Sequence, residues 1–408
     1  MNAPSVQTLE TIAGGVTSAK GFRASGISAG IKAKAGALDL ALIVSDRPAT
    51  AAAVFTTNRA QAAPVLVSRE HLSRSGGIAR AIVVNSGCAN ACTGDAGLRD
   101  AREMAERTAG LLHCSSDHVL VASTGVIGVA LKIDRIREGL PMAMQALDAT
   151  HGALAARAIM TTDPFPKEAA ARLTIGGRDV TVGGIAKGSG MIEPMMATML
   201  AFVTTDAAIS PALLQRALRD VVDETFNAIT VDGECSTNDC VMILANGASG
   251  VTVDERHYSA FSDALRVVCL RLALGIVRGG EGATKLITVT VTGAASRDEA
   301  RRAAKAIANS PLVKTAIHGG DPNWGRLIAV AGRAGVDFNL RQARVTIGSV
   351  VLFEDGRPHD EAAPEAARYL KNPDIAVSVD LGVGSAGSTV WTCDLSAEYV
   401  RINAEYRT

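Results

Sequence analysis

The sequence predicts a mixed α/β fold, because short runs rich in Val and Ile alternate with helical patterns along most of its 408 residues. Residues 81–84, 119–122 and 377–381 are candidate strands. In residues 285–292 apolar side chains alternate with threonines, which predicts a strand that buries one face. No internal repeat or low-complexity linker in the sequence separates independent modules.

Helical patterns are equally clear. Residues 98–112 carry apolar side chains at three- and four-residue spacing, which predicts an amphipathic helix. Ser210 followed by Pro211 predicts the start of a second helix, since serine caps helix N-termini and proline suits the first helical position. Ser296 and Glu299 form a capping-box pattern for a third helix, which runs towards residue 309.

The charge balance disfavours nucleic acid and lipid as partners. Lys plus Arg and Asp plus Glu each number 41, so the formal net charge is zero and no long-range field attracts phosphate or anionic lipid. The start of the chain lacks a secretory pattern, and no apolar run is long enough to span a bilayer. We therefore expect a cytoplasmic protein.

The seven cysteines are odd in number and irregular in spacing, which predicts reduced thiols rather than a disulfide framework. Cys88 and Cys92 are four residues apart, and Cys235 and Cys240 are five apart. Without a CxxC pair or a neighbouring His cluster, we expect small buried thiols and no metal site.

Several segments are too rich in Gly, Asn, Ser and Thr to be plain core. Residues 85–94 and 123–128 each follow a candidate strand, and loops at strand ends are common site positions in α/β proteins. A glycine in the second segment would let backbone N–H groups converge on an oxyanion. An ordinary turn is the alternative for this segment.

Residues 183–200 contain four glycines and Lys187, followed by an apolar stretch with one threonine, Thr198. This order matches neither a phosphate-binding loop nor the nucleophile elbow of hydrolases, and a Met-rich apolar segment is often core. Glu281 and Lys285 precede the strand at 285–292. Residues 318–326 carry His318, Asp321 and Arg326, which form either a site or a loop fastened by Trp324.

Taken in order, these segments resemble the glutamate N-acetyltransferase (ornithine acetyltransferase) family, also called ArgJ, along essentially the whole chain. The matching motifs are GFRASGISAGIK at 21–32, NSGCANACTG at 85–94, STGVIG at 123–128, AIMTTD at 158–163, KGSGMIEPMMATML at 187–200, DGECSTND at 232–239, GEGATK at 280–285 and NSPLVKTAIHGGDPNWGR at 309–326.

The resemblance implies a layered α/β sandwich of the self-processing N-terminal-nucleophile type. Cleavage between Ala197 and Thr198 would give an α chain of residues 1–197 and a β chain of residues 198–408. Two α and two β chains would form a heterotetramer. Cleavage also supplies chemistry, because the new α-amino group of Thr198, with a reference pKa of about 7.7–8.0, is a base on the same residue as the weakly nucleophilic hydroxyl.

The implied reaction carries acetyl from N-acetylornithine to glutamate through an ester on Thr198, with no cofactor and with acetyl-CoA as a candidate second donor. By resemblance, Thr124 and Gly125 stabilise the oxyanion, and Glu281 assists catalysis. The implied substrate contacts are Thr161, Lys187, Thr198, Glu281, Asn403 and Thr408. Lys187 suits an α-carboxylate and Glu281 an ammonium group. Thr161 is preferred to Thr162 because it lies 26 residues before Lys187, the spacing of the family.

The chain departs from the family pattern just before the predicted cleavage site, and the resemblance also sets a requirement on the C-terminal tail. Many members carry H-P-N-M before A-T-M-L, whereas this chain has Glu193, Pro194, Met195 and Met196, which puts an acid close to the nucleophile. A role for Asn403 and Thr408 requires that the tail fold back into the site. Two alternatives remain, a self-processing amidohydrolase or aminopeptidase that passes the acyl group to water, and an amino-acid-binding protein that is never cleaved.

Overall fold

The computed structural model describes residues 8–193 and 199–405. The predicted cleavage site, Ala197 and Thr198, and the predicted contact Thr408 lie outside the described residues, as does Met195.

The described part of the chain alternates strands and helices. The strands are β1 (Leu9–Ile12), β2 (Phe22–Ile27), β3 (Leu40–Phe55), β4 (Ile78–Cys88), β5 (Val119–Val126), β6 (Lys167–Ile175), β7 (Arg178–Lys187), β8 (Leu200–Thr205), β9 (Ala208–Ile209), β10 (Cys240–Ala245), β11 (Thr252–Val253), β12 (Leu286–Ala294), β13 (Arg344–Ile347), β14 (Val350–Glu354), β15 (Arg357–Pro358), β16 (Asp374–Asp380) and β17 (Ala386–Cys393). The helices are α1 (Ala63–Arg74), α2 (Gly94–Leu112), α3 (Ile133–Gln145), α4 (Gly152–Ala158), α5 (Pro211–Glu224), α6 (Tyr258–Arg278), α7 (Arg297–Ala308), α8 (Pro311–Gly319), α9 (Trp324–Gly332), α10 (Ala363–Tyr369) and α11 (Ala397–Glu405).

The larger sheet has the strand order β1-β6-β7-β8-β10-β3-β4-β5, with β2 also paired to β3. The pairs β8–β10 and β4–β5 are parallel, and the other pairs are antiparallel. Helix α6 packs on β6 and β7, α5 packs on β3, and α4 packs on β2 and β3. The central strands β8 and β10 are buried along their whole length because helices cover both faces.

A second sheet has the order β15-β14-β13-β16-β12-β17. Its core joins alternate residues of β12 to helices α7 and α9, which pack on it. Helix α6 also contacts β12 and β17, so it lies between the two sheets. The structure confirms the predicted layered α/β fold.

The predicted secondary structure is largely confirmed, and the helix starts have the expected physical cause. The Ser210 side chain accepts a hydrogen bond from Leu213 N at the start of α5, and the Ser296 side chain accepts one from Glu299 N at the start of α7. The candidate strands at 81–84 and 119–122 fall within β4 and β5, and those at 285–292 and 377–381 overlap β12 and β16 except for one terminal residue each.

The prediction that residues 85–94 and 123–128 begin as loops is wrong for their first residues. Strand β4 continues to Cys88 and β5 to Val126, and their register pairs Ser86 with Thr124 and Gly87 with Gly125. Polar residues suit this strand end because their side chains find partners there. The Ser86 hydroxyl donates to Ala158 O at 2.5 Å, and the Ser123 hydroxyl to Asn85 Oδ1 at 2.6 Å.

All seven cysteines are free thiols, and Cys240 and Cys269 are fully buried, which raises their pKa. Within residues 8–193 and 199–405, no helix is long and apolar enough to cross a membrane.

Candidate active site

A cavity of about 150 Å³ lies where β5 and β7 end beside residues 279–282 and helix α11. The predicted site residues that the structure describes all line it: Thr124, Gly125, Thr161, Lys187, Glu281 and Asn403. They come from five separate parts of the sequence, and Thr162 lines the cavity as well. The geometry therefore brings the predicted residues together without choosing between the two threonines.

Gly125 occupies a position that only glycine fits. Its φ is +131°, and a Cβ there would lie 2.4 Å from the carbonyl carbon of Gly87 on the neighbouring strand. Side chains rarely adopt this backbone conformation, and the contact would push the strands apart. Glycine at this position therefore lets β5 end against β4 beside the cavity that Gly125 lines.

Thr124, the neighbour of Gly125, is buried, and its Oγ1 accepts a hydrogen bond of 3.1 Å from Lys187 Nζ. An ammonium donates only, so the threonine hydroxyl keeps its own proton for another acceptor. Lys187 therefore leaves Thr124 able to donate to a negatively charged oxygen in the cavity.

A buried asparagine holds this strand end in place. Asn238 Nδ2 donates to Ser123 O at 2.9 Å and to Ala89 O at 2.6 Å, which joins the end of β5 to the segment after β4. Sequence reasoning recognised the DGECSTND motif but gave Asn238 no role. A buried polar side chain in a segment with a site motif was the available signal.

A buried charge cluster lies beneath Lys187. The Asp163 carboxylate accepts from Lys167 Nζ at 2.6 Å, from Gly188 N at 2.7 Å and from Thr161 N at 3.0 Å. Burial alone would raise the pKa of Asp163, but the charges of Lys187 and Lys167 and the bond from Gly188 lower it to about 2. Asp163 is therefore an anion that ties the Thr161 backbone to the end of β7.

On another wall of the cavity, Glu281 is buried and its Oε2 accepts a hydrogen bond of 2.9 Å from Asn403 Nδ2. A Cβ added to Gly190 would lie 2.4 Å from the same oxygen, so the glycine backbone packs directly against the carboxylate. Asn403 belongs to α11, which also brings Tyr399 to the cavity. The C-terminal helix does fold onto the site, as the role of Asn403 requires.

Tyr399 and Asp232 line the cavity but were not predicted. The Tyr399 hydroxyl donates to Asp232 Oδ2 at 3.2 Å. Burial, together with the nearby Asp232 carboxylate, raises the pKa of Tyr399, so the phenol keeps its proton.

The unusual Glu193 is held by residues outside the cavity. Its carboxylate accepts from Asn309 Nδ2 and, at 3.2 Å, from the Thr230 hydroxyl, and it lies 3.8 Å from Lys305 Nζ. Burial lowers the pKa of Lys305 to about 8, although the Glu193 charge opposes that shift. The acid near the predicted nucleophile is thus already engaged in an anchoring cluster.

Residues 318–326 do not join the cavity. His318 Nδ1 pairs with Asp394 at 2.7 Å, and Arg326 Nη1 donates to Leu312 O at 2.6 Å. Trp324 stacks on Phe353 with ring centroids 5.1 Å apart. Residues 320–323 form the loop between α8 and α9, and Trp324, the first residue of α9, fastens it by stacking on Phe353. No three metal-ligating side chains group together anywhere in the described ranges.

The nucleophile predicted from the sequence lies outside the described residues, but the residues that follow it are placed. Met199 and Leu200 line the cavity, and Leu200 is the register partner of Lys187 across β7 and β8. The start of the β8 segment, at Met199 and Leu200, therefore lies at the cavity that Thr124, Lys187 and Glu281 also line. A cation and an anion on different walls suit a zwitterionic ligand.

Comparison with known proteins gives a consistent result. The ArgJ family matches residues 23–408. The arginine biosynthesis bifunctional protein ArgJ of Symbiobacterium thermophilum is 51% identical over 406 residues, which cover 98% of this chain and all of that protein. The protein of the same name from a Synechococcus strain is 51% identical over 411 residues, covering 98% and 99%. A crystal structure of the arginine biosynthesis bifunctional protein argJ from Bacillus halodurans is 47% identical with a TM-score of 0.50, and it covers 51% of this chain and 100% of that chain.

Proposed function

Because the chain belongs to the ArgJ family, we propose that it is an acetyltransferase of arginine biosynthesis that moves acetyl from N2-acetylornithine to glutamate. The observation that carries the proposal is the convergence of Thr124, Lys187 and Glu281 on one cavity beside Met199. Both substrates are amino acids with an α-carboxylate, and the cavity offers a cation for that group.

We propose that Thr198 acquires its reactivity by self-cleavage. The Thr198 hydroxyl attacks the Ala197 carbonyl, the acyl group shifts from nitrogen to oxygen, and water hydrolyses the ester to leave a free α-amino group. One further observation supports a divided chain: the Bacillus halodurans structure matches along its whole length yet covers only about half of this protein.

In the acetyl-transfer cycle, the Thr198 amine accepts the proton of its own hydroxyl as Oγ attacks the acetyl carbonyl of N2-acetylornithine. The oxyanion of the tetrahedral intermediate takes hydrogen bonds from the Thr124 hydroxyl and the Gly125 N–H, each worth about 3–4 kcal/mol. The C–N bond then breaks, the amine returns the proton to the leaving nitrogen, and ornithine departs. Glutamate's amine attacks the acetyl ester in the reverse sequence and regenerates the hydroxyl.

Lys187 and Glu281 position the substrates in this proposal. The Lys187 ammonium binds the α-carboxylate that both substrates share. Glu281, oriented by Asn403, accepts the ammonium of ornithine or assists proton transfer at the attacking amine. Thr161 and Thr408 complete the proposed contacts. Acetyl-CoA as a second donor and an assembly of two α and two β chains in the cytoplasm are part of the same proposal.

Denaturing electrophoresis with mass spectrometry tests the cleavage step. We expect wild type to give two chains, the second starting at Thr198, and Thr198→Ala to remain one chain. Incubation with N2-acetylornithine and glutamate tests transfer, with acetyl-CoA replacing the donor in a parallel reaction. Formation of N-acetylglutamate supports the transferase, whereas release of free acetate without it identifies an amidohydrolase. An active enzyme with an intact 197–198 bond contradicts the mechanism.

A further inference from the structure

Residues 191–193 precede the predicted cleavage site in the sequence, and they are hydrogen-bonded to residues 231–234, which follow it. The Met191 N–H donates to Asp232 Oδ2 and the Ile192 N–H to Asp232 Oδ1, both at 2.7 Å. The Ile192 carbonyl accepts from Val231 N at 2.7 Å, and Glu193 N donates to Glu234 O at 2.7 Å. Four backbone groups of three consecutive residues are thus paired with residues 231–234.

The conformation that this pairing holds is an uncommon one. Met191 has a φ of +58°, in the left-handed region that a side chain other than glycine rarely adopts. Such a conformation persists where the surroundings determine it, and such positions cluster at functional sites. Here the determining group is a single carboxylate that accepts two successive N–H groups. Ile192, with no exposed surface, is packed beneath it.

We propose that Asp232 is a positioning residue for self-cleavage: by fixing Met191 and Ile192 it directs the following residues so that the Ala197 carbonyl meets the Thr198 hydroxyl. The inference rests on the proposed function. Asp232 does not take part in the bond changes, which remain those between Thr198, Ala197 and water. The effect arises because an intramolecular attack depends steeply on the placement of the two reacting atoms.

Asp232 also contacts the C-terminal helix α11. Tyr399 of α11 donates to the same carboxylate, so the C-terminal helix and residues 191–192 share one hydrogen-bond acceptor. Gly282 abuts the start of that helix, because a Cβ there would lie 2.5 Å from Tyr399 N. Asp232 therefore joins residues 191–192 to the helix that carries Asn403.

Asp232→Asn is the direct test, because an amide keeps only one oxygen and one of the two N–H groups loses its acceptor. Asp206→Asn is the matched control. Asp206 is buried and, like Asp232, accepts two backbone N–H groups, from Lys20 at 3.0 Å and Thr181 at 2.8 Å, but it lies at the opposite ends of β7 and β8.

Cell-free translation sampled over time on denaturing gels gives the rate constant of cleavage, and thermal unfolding of the purified proteins gives their stability. We expect cleavage of Asp232→Asn to slow about 10- to 100-fold. Cleavage of Asp206→Asn should keep the wild-type rate, even if its midpoint of thermal unfolding falls as much as that of Asp232→Asn. If Asp232→Asn is insoluble, Asp232→Glu replaces it, because it keeps both oxygens but displaces them, and the same slowing is expected.

A wild-type rate in the Asp232 variant, or equal slowing in both variants, overturns the inference while leaving the proposed function intact. A wild-type chain that never divides overturns the proposed function and the inference together.

Discussion

Replacing Lys187 with Met removes a charge from the cavity while keeping an unbranched side chain of similar length. The Lys187 ammonium lies 3.1 Å from Thr124 Oγ1 and lines the cavity, and we propose that it binds a substrate carboxylate there. A hydrogen bond to a charged group contributes about 1.5–3 kcal/mol, which corresponds to a loss of about 10- to 150-fold in kcat/KM. Because both substrates carry an α-carboxylate, the loss should appear with both.

Lys167→Met is the matched control, since both lysines face the same buried acid. Lys167 lies 2.6 Å from Asp163, its side chain is 2% exposed, and it does not line the cavity. Breaking a buried ion pair of this kind costs about 3–5 kcal/mol of folding free energy, so we expect a clear fall in the midpoint of thermal unfolding. The kcat/KM of the folded fraction should change little.

Steady-state kinetics, with the concentrations of N2-acetylornithine and glutamate varied in turn, measures the effect on kcat/KM. Thermal unfolding of each variant measures the effect on stability. The expected result is a crossed pattern, in which the Lys187 variant loses kcat/KM and the Lys167 variant loses stability. If the Lys167 variant loses more kcat/KM than the Lys187 variant, or if the Lys187 variant keeps its affinity for both substrates, the assignment of Lys187 to the carboxylate is wrong.

Three further changes test other parts of the site. Gly125→Ala should lower kcat about 100-fold or more, because the added Cβ meets Gly87. The control Gly128→Ala has open space around its Cβ and should lose only about 1 kcal/mol of stability. Similar losses of kcat in the two variants would contradict this prediction. Gly190→Ala should displace the Glu281 carboxylate and raise KM, and an unchanged KM would exclude Glu281 from binding. The pKa of Asp163 is lowered to about 2 from 3.8, so its charge stabilises the fold by about 2.5 kcal/mol above pH 4, and this contribution is lost as the pH falls towards 2. The difference in unfolding midpoint between wild type and Asp163→Asn should therefore be constant from pH 7 to 5 and shrink on further acidification; a constant difference at pH 3 would refute the assignment.

The sequence predicts the layers of the fold because periodicity and caps are local properties. The alternation in residues 285–292 corresponds to β12, and the serine caps at 210 and 296 mark real helix starts. The loop prediction for the ends of β4 and β5 is wrong because Gly and Asn usually indicate loops. Here Asn85 and Ser123 hydrogen-bond to each other across neighbouring strands, which no local rule reveals.

The candidate site divides in the same way. Resemblance to a family identified Lys187, Glu281 and Asn403, and the structure places them around one cavity. Asp163 and Asp232 could not be assigned roles from the sequence, because each also accepts hydrogen bonds from a segment far along the chain. Asp163 gathers the ends of two segments, and Asp232 holds residues about 40 positions before it.

The strand order of the larger sheet affects how the two chains of the cleaved protein stay associated and refold. Strands β8 and β10 lie after the predicted cut, yet β7 flanks them on one side and β3 on the other, and both flanking strands lie before it. The two chains could separate only if the backbone hydrogen bonds of both the β7–β8 and the β10–β3 pairs broke. They should therefore stay associated as long as the sheet is folded. Once melted, however, two separate polypeptides would have to find each other in solution, and recovery of the native state should then depend on protein concentration.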